Sequence, residues 1–202
     1  MILIVNTTSD TALTDAIRQT LAAPETALGI APETALVTAP ETAPETAPET
    51  APGTVPAARA EFEIVEAADM KISHCIGCNF CWLKTPGICS IKDDYEEILK
   101  KMIHADQIWV ISGTALGFLD HKGKNIFDRI MPLVTMYLKF KGDQMRHVMR
   151  YRRNADIGLI YAGEADRTYL MRWNERAALN IGTKSLGVFP AENWKEAVAC
   201  MH

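Results

Sequence analysis

The stretch DDYEEILKKMIHADQIWVISG (residues 93–113) predicts a helix that leads directly into a buried strand. Apolar side chains recur in its first half at helical spacing and form one stripe: Tyr95, Ile98, Leu99, Met102 and Ile103. Asp93 is expected to cap this helix, and Glu96 completes the pattern of a capping box. The run IWVI (108–111) is apolar throughout, as in a strand covered on both faces of a parallel sheet. The stretch therefore indicates an α/β unit.

The same alternation of strands and helices runs along the rest of the chain. Further strands are predicted at MILIVN (1–6), EFEIVEA (61–67), ADIGLIYAG (155–163) and SLGVFP (185–190), the second of them near a sheet edge. Further helices are predicted at 11–23, 125–140, 166–182 and 191–201, with Pro132 kinking or restarting the second and Gly182 ending the third. This order predicts an α/β fold with a doubly wound, five-stranded parallel sheet.

A repeat at residues 23–58 interrupts this order, and in it the unit Ala-Pro-Glu-Thr occurs five times. Seven of the ten prolines fall there, and proline at this frequency blocks helices and central strands alike. An extended or disordered insertion is expected. A partner-binding arm is one interpretation, but a surface loop is favoured because closure entropy grows slowly with loop length. The chain is thus interpreted as a single domain, 1–202, interrupted at 23–58.

The composition of the chain gives an expectation for its cellular location but indicates no class of partner. The 202 residues carry a formal charge of −4, and setting aside the five glutamates of the repeat leaves +1, so the acidic balance indicates no partner class. The start has no basic region before its short apolar run, and no run is long enough to cross a bilayer. A cytoplasmic protein without a membrane partner is expected. The basic segment 139–154 lacks the aromatic interleaving of nucleic-acid sites and is interpreted as a solvated face.

Four of the five cysteines lie in the segment SHCIGCNFCWLKTPGICSIKDD (73–94), at Cys75, Cys78, Cys81 and Cys89. Thiols stay reduced in the cytoplasm, so clustered cysteines there more often bind metal or carry out redox chemistry than form disulfides. The spacing C-x2-C-x2-C-x7-C suits an iron–sulfur cluster, a closed four-thiolate zinc site is the alternative, and structural thiols are the third interpretation. Cys200, near the end of the last helix, is interpreted as structural.

Polar and glycine-containing loops follow three of the predicted strands. They are Thr7–Thr11, Ser112–Phe118 and Ala162–Glu164. Hydroxyls beside a helix start suit a phosphate, although ordinary helix capping uses the same residue types. Ligands of doubly wound sheets bind at the carboxyl ends of the strands, so one pocket lined by these loops and by the cysteine segment is expected.

The segment CIGCNFCWLKTPGICSIKDDYEEILKKMIHADQIWVIS (75–112) resembles the flavodoxin-like NADPH-dependent FMN reductase family, in particular its iron–sulfur flavoprotein branch. Members show C-x-G-C-x-x-C, a glycine before a further cysteine, and an Asp-Asp pair that opens a helix. The matching residues, in order, are Cys75, Gly77, Cys78, Cys81, Gly87, Cys89, Asp93 and Asp94. The resemblance covers essentially the whole chain outside the repeat.

The resemblance implies a flavodoxin-like sheet in the order 2-1-3-4-5 with FMN at its carboxyl edge. The FMN phosphate is then expected at Thr7, Thr8, Ser9, Asp10 and Thr11. The flavin ring is expected against Thr114, Ala115, Leu116, Gly117 and Phe118, with Ala162 and Gly163 closing its other side. The family's phosphate loop usually begins Gly-Ser-Pro and carries a basic residue, whereas this loop reads Thr-Thr-Ser-Asp. Asp10 would repel a phosphate unless it turns away to cap the helix.

The function that follows is an FMN-dependent oxidoreductase. It passes electrons from NAD(P)H or a carrier to a quinone, flavin or protein acceptor, with a [4Fe–4S] cluster at the four cysteines as an open alternative. An electron carrier or a zinc-stabilised binding module without its own turnover is the second hypothesis. The family often forms dimers or tetramers, so a homo-oligomer is expected, with the predicted helix around Met136, Tyr137 and Leu138 as an interface or as core.

Overall fold

The computed structural model describes residues 1–23 and 61–202, so the repeat lies outside the described residues except for Ala23. The strands are β1 (Ile2–Asn6), β2 (Phe62–Glu66), β3 (Gln107–Ala115), β4 (Phe118–Leu119), β5 (Val134–Lys141), β6 (Gln144–Met149), β7 (Asp156–Ala162) and β8 (Ser185–Pro190). The helices are α1 (Thr11–Ala22), α2 (Phe80–Leu83), α3 (Tyr95–His104), α4 (His121–Asp128), α5 (Arg167–Asn180) and α6 (Trp194–Ala199). Within these ranges no helix combines the length and apolar character needed to span a membrane.

The central sheet has the order β2-β1-β3-β7-β8, and all four neighbouring pairs are parallel. Counted along the five parallel strands, this is the predicted order 2-1-3-4-5. β2 lies at the edge, as predicted, and is only partly buried, whereas β1 is buried along its whole length. The α/β fold with a doubly wound parallel sheet is thereby confirmed.

Helices cover the two faces of the sheet. On one face, Ile4, Trp109 and Ile160 of the sheet pack in one buried cluster with residues of α1 and α6. On the other face, Val110 and Leu159 belong to a second cluster that includes residues of α3, α4 and α5. Adjacent strand residues face opposite clusters because side chains alternate along a strand. Burial on both faces explains why these strands are uniformly apolar.

The prediction of one helix over 125–140 is wrong for the residues after Asp128. α4 ends at Asp128, a short 3-10 turn spans Met131–Leu133, and β5 then pairs with β6 in an antiparallel hairpin. Pro132 lies in the 3-10 turn, where its fixed φ and missing amide hydrogen are tolerated. The hairpin turns at Gly142, whose φ is 63°. The apolar residues of 134–140 fit helical spacing, but they also alternate as in a strand. The segment forms a strand because it pairs with 144–149.

The capping box predicted for α3 does not form. The N-cap residue is Asp94, whose side chain accepts a hydrogen bond from the Lys71 amide instead of capping the helix. The Glu96 carboxylate pairs with lysines of its own surface and not with the helix start. Asp93 accepts a hydrogen bond from the Tyr95 amide at 3.2 Å, and its second oxygen faces a buried arginine described below.

Candidate cofactor-binding site

The loop after β1 is fastened to the neighbouring strand. The amide and the hydroxyl of Thr7 both donate to the Ile111 carbonyl, at 2.8 and 2.9 Å. The Thr8 hydroxyl donates to Asn6 Oδ1 at 2.7 Å. Two of the hydroxyls predicted to meet a phosphate are therefore already engaged in holding the loop.

Asp10 caps α1, which is the orientation that a nearby phosphate would require. Its Oδ1 accepts a hydrogen bond from the Leu13 amide at 3.2 Å. The hydroxyls of Ser9 and Thr11 and the amides of Ser9, Thr11 and Ala12 have no hydrogen-bond partner among the described residues. Neutral donors at the positive end of a helix dipole fit a phosphate ester, although the loop itself brings no cation.

The loop after β3 is a tight hairpin that the sequence did not reveal. Ala115 pairs with Phe118 across a two-residue turn, and both turn residues have positive φ, 53° for Leu116 and 77° for Gly117. Positive φ at both central residues is typical of a type I′ turn, which suits the right-handed twist of paired strands. The side chain of Leu116 is fully exposed at the tip.

The loops after β3 and β7 lie against each other. The Thr114 hydroxyl donates to the Ala162 carbonyl at 3.4 Å, and the Asp166 amide donates to the Gly117 carbonyl at 3.0 Å. Gly163 has a φ of 117°, a conformation that favours glycine. The structure thus brings together the two loops expected on either side of a flavin ring.

Phe118 packs against the aromatic rings of α5. Its ring makes edge-on contacts with Tyr169 and Trp173 of α5, at centroid distances of 5.6 and 5.1 Å. Such T-shaped pairs are a favourable packing geometry for aromatic rings. Phe118 therefore fastens the β4 strand to α5, and Leu116 and Tyr169 expose apolar surface at this edge.

All four predicted thiolate residues line one cavity of about 410 Å³. Cys75 and Cys78 are exposed, whereas Cys81 and Cys89 are partly buried. The apolar part of the lining consists of Ile76, Trp82, Ile91, Phe127 and Met131. In the described part of the chain, no group of three or more His, Cys, Asp or Glu side chains is arranged to hold a single metal ion.

The cysteine segment wraps around this cavity because its backbone turns repeatedly. Gly77, Asn79 and Gly87 adopt positive φ values of 67°, 60° and 84°. The only regular element inside the segment is the single turn α2, which begins after Asn79. The irregular path lets all four cysteines reach one cavity, since cysteines at intervals of three cannot all share one face of a straight element.

The thiols differ in their electrostatic surroundings. The pKa of Cys78 is lowered by its hydrogen bond with the Ser90 hydroxyl, at 3.1 Å, and by the Phe80 backbone. The pKa of Cys81 is raised by burial and then by the negative charge of the other three cysteines as thiolates. The four sulfurs are therefore close enough to influence one another's charge.

Arg129 is a site residue that the sequence did not identify. It follows α4, its side chain is 1% exposed, and its Nη2 donates to Cys89 Sγ at 3.4 Å. Its Nη1 lies 2.5 Å from the Asp93 carboxylate. Burial by itself lowers the pKa of Arg129, but the hydrogen bonds to Asp93 and Cys89 raise it above its ordinary value. No local pattern marks it, because Asp93 and Cys89 are 36 and 40 residues away.

The sequence predicted one pocket lined by both the cysteines and the edge loops. In the described residues the cysteine cavity is separate from these loops. The cysteine cavity is lined by the cysteine segment and by the end of α4, and none of the three edge loops contributes to it. α4 starts next to the edge and is eight residues, ~12 Å, long. Lys122 and Asn125 bind the carbonyls of Ala68 and Ile72, so the chain leading to the cysteines runs along this helix.

The fold and the loops at its carboxyl edge define a flavodoxin-like α/β protein. The chain aligns with the structure of RosB bound to 8-demethyl-8-formylriboflavin-5′-phosphate, with a TM-score of 0.52 and 15% identity over 94% of this chain and 63% of RosB. No family model matches the chain. The structural likeness supports the fold.

Two curated relatives are iron–sulfur flavoproteins. The chain is 44% identical over 73 residues to an iron–sulfur flavoprotein of Methanocaldococcus jannaschii, covering 36% of this chain and 37% of that protein. It is 42% identical over 69 residues to an iron–sulfur flavoprotein of Archaeoglobus fulgidus, covering 34% and 33%. Each match spans about a third of the relative. The resemblance predicted from the cysteine segment is confirmed.

Proposed function

We propose that this protein is an FMN-dependent oxidoreductase that holds a [4Fe–4S] cluster at Cys75, Cys78, Cys81 and Cys89. The observation that carries the proposal is the convergence of these four thiols on one cavity. When bound, FMN accepts a hydride and the cluster exchanges single electrons, while the protein supplies position and potential.

The cavity fits a cluster better than a closed zinc site. Sulfur ligands of one zinc ion lie ~3.8 Å apart, given Zn–S bonds of ~2.3 Å in tetrahedral geometry. The described residues contain no group arranged for a single ion, yet all four thiols face the same space of about 410 Å³. Thiolates spread around a wider space, with Trp82, Phe127 and Met131 as an apolar wall, fit a multinuclear cluster.

The carboxyl edge fits FMN through its hydrogen-bond donors. Ser9 and Thr11 would bind the phosphate together with the amides at the start of α1 that have no partner among the described residues, while Asp10 stays turned toward Leu13. Thr114, Ala115, Leu116 and Gly117 would support the flavin ring, and Ala162 and Gly163 would border it. Phe118 would act through packing against α5 and not as a stacking partner.

The donor and acceptor follow from the class of chemistry. We propose NAD(P)H or a reduced carrier as the electron source, and a quinone, a flavin or a protein as the acceptor. The exposure of Cys75 and Cys78 favours a second candidate, an electron carrier that meets a protein partner at the cluster and has no turnover of its own. Steady-state oxidation of NADH and NADPH by the FMN-loaded protein separates the two.

We propose that the protein works in a reducing compartment. All five cysteines are free, which suits a reducing compartment such as the cytoplasm.

The hairpin of β5 and β6 exposes Met136, Leu138, Phe140 and Met145, and an exposed apolar face of this kind supports association with a second copy. We propose no nucleic-acid or membrane partner.

Anaerobic purification followed by a visible spectrum tests the proposal, with iron, acid-labile sulfide, zinc and flavin assayed on the same sample. About four irons and four sulfides per chain, together with a flavin spectrum, are expected. Cys89→Ser is expected to lose iron. The matched control Cys200→Ser is expected to retain it, because Cys200 follows the last residue of α6 and donates a hydrogen bond to the Glu196 carbonyl. A colourless protein that contains zinc and binds no added FMN would overturn the proposal.

A further inference from the structure

Arg129 joins the two ends of the cysteine segment. Its Nη1 donates to the Ser73 carbonyl at 3.2 Å, two residues before the first cysteine of the segment. Its Nη2 donates to the Ile91 carbonyl at 3.4 Å, two residues after Cys89. One guanidinium therefore fixes where the segment begins and where it ends, and the planar fork of arginine suits such a bridge better than a lysine ammonium.

The same side chain places a buried positive charge beside the sulfur atom of Cys89. Arg129 is 1% exposed and lies over the Tyr95 ring, with its Cζ 4.5 Å from the ring centroid. Its contact with Cys89 Sγ, at 3.4 Å, lies within hydrogen-bond range for sulfur. Charges in such surroundings are screened little by solvent, so their influence on a neighbouring sulfur is strong.

Asp93 opposes that charge at the same place. Its carboxylate is 2.5 Å from Arg129 Nη1 and its side chain is 9% exposed. It also accepts a hydrogen bond from the Ser73 amide at 2.9 Å. The pair Arg129–Asp93 therefore sets the local charge at Cys89. One donor remains, because Arg129 Nε is buried without a hydrogen-bond partner in the described part of the chain.

We propose that Arg129 is a positioning residue that raises the reduction potential of a cluster ligated by Cys89, and that Asp93 limits this effect. The inference rests on the proposed function. One-electron reduction adds one negative charge to the cluster and its thiolates. A cation and a hydrogen bond at a ligand sulfur stabilise the more negative state, and iron–sulfur potentials follow local charge and hydrogen bonding.

Opposite shifts in two variants test the proposal. Arg129→Gln removes the cation, and the reduced-to-oxidised ratio at a fixed potential is expected to fall at least tenfold, which is 59 mV for a one-electron couple. Asp93→Asn removes the anion, and that ratio is expected to rise. Arg129→Lys keeps the charge but not the bridge, and its midpoint is expected between wild type and Arg129→Gln. The readout is the midpoint from anaerobic redox titration followed by EPR, on samples matched for iron content.

Midpoint shifts of opposite sign in the two variants distinguish electrostatic tuning of the cluster from structural damage. Structural damage in both variants would move the two midpoints in one direction or abolish the cluster in both, and either result would overturn the inference. Unchanged midpoints in iron-loaded variants would also overturn it while leaving the proposed function intact. Wild-type protein without iron or sulfide would overturn the proposed function and this inference together. If Arg129→Gln does not fold, a lower midpoint in Asp93→Asn is the result that contradicts the proposal.

Discussion

A methyl group placed on Gly163 would lie 2.4 Å from the hydroxyl oxygen of Thr114, so the loops after β7 and β3 fit together only if residue 163 is glycine. The hydroxyl that fills this space also reaches the Ala162 carbonyl. The close approach defines the part of the carboxyl edge where we propose that the flavin ring binds.

Gly163→Ala is expected to destabilise the protein by about 1–3 kcal/mol and to weaken FMN binding, because the loops must separate and the backbone is strained at positive φ. Urea unfolding and FMN fluorescence titration measure the two effects. In the double variant with Thr114→Ala the clash is removed, so the combined effect should be smaller than the sum of the single effects. Strict additivity would contradict the close contact.

Asp10→Asn is expected to tighten FMN binding while leaving the unfolding free energy nearly unchanged. Asparagine caps helices as well as aspartate does, but it brings no charge near the proposed phosphate. FMN titration at low and high salt measures the effect, which should shrink as salt screens the charge. Asp15→Asn, on the same helix and paired with Arg18, is the control and should not change FMN affinity. Equal effects of both variants would argue against a phosphate at this loop.

Phe140→Asp is expected to dissociate a homo-oligomer. Phe140 is 75% exposed and shares one face of the hairpin with its cross-strand partner Met145. Light scattering coupled to size exclusion gives the mass. Lys139→Asp is the matched control, since Lys139 is exposed and directly precedes Phe140 in the regularly paired part of β5, so its side chain points to the opposite face. A monomeric wild-type protein, or dissociation by the control alone, would refute this interface.

In the metal-free protein, Cys78 is expected to react with iodoacetamide faster than Cys81. The thiolate is the nucleophile, and the pKa of Cys78 is lowered while that of Cys81 is raised by burial and neighbouring thiolates. Peptide mapping of alkylated protein near pH 8 measures the two rates. The difference should narrow as the pH rises and both thiols become ionised. Faster labelling of Cys81 would contradict the described environment.

Asp93 is expected to make the protein acid-sensitive. Burial alone raises its pKa, but hydrogen bonds from Arg129 and the Ser73 amide lower the pKa below the ordinary 3.8. Because the folded pKa lies below the unfolded one, this stabilisation is present above about pH 4 and is lost as the pH falls through the folded pKa. Unfolding free energies from pH 6 to pH 2.5 should therefore fall less steeply in Asp93→Asn. Parallel pH profiles would refute this role.

Much of the fold could be predicted because its strands are buried on both faces. The runs at 108–111 and 1–6 were correctly predicted as strands, since short runs with apolar residues on both sides suit a central position in a parallel sheet. The segment 134–140 has apolar residues that suit either period, and its antiparallel partner decides the outcome. Strand formation there depends on contacts that the segment itself does not encode.

The candidate site shows the same division. The spacing of Cys75, Cys78, Cys81 and Cys89 indicated a shared ligand, and the structure brings all four to one cavity. The sequence placed this cavity beside the edge loops, but α4 extends between them. Arg129 carried no signal at all, because a buried arginine is recognised by its partners and those partners are distant in sequence.

The sequence alone determined the parallel sheet, the cysteine cluster and the polar edge loops, because each depends on local periodicity, spacing or composition, whereas the strand order was implied by the family resemblance. Only the tertiary structure decided the hairpin of β5 and β6, the turn at Leu116 and Gly117, the contact of Gly163 with Thr114 and the bridge made by Arg129. These features depend on packing between segments that are distant in sequence, and close packing resolves alternatives that local preference leaves open.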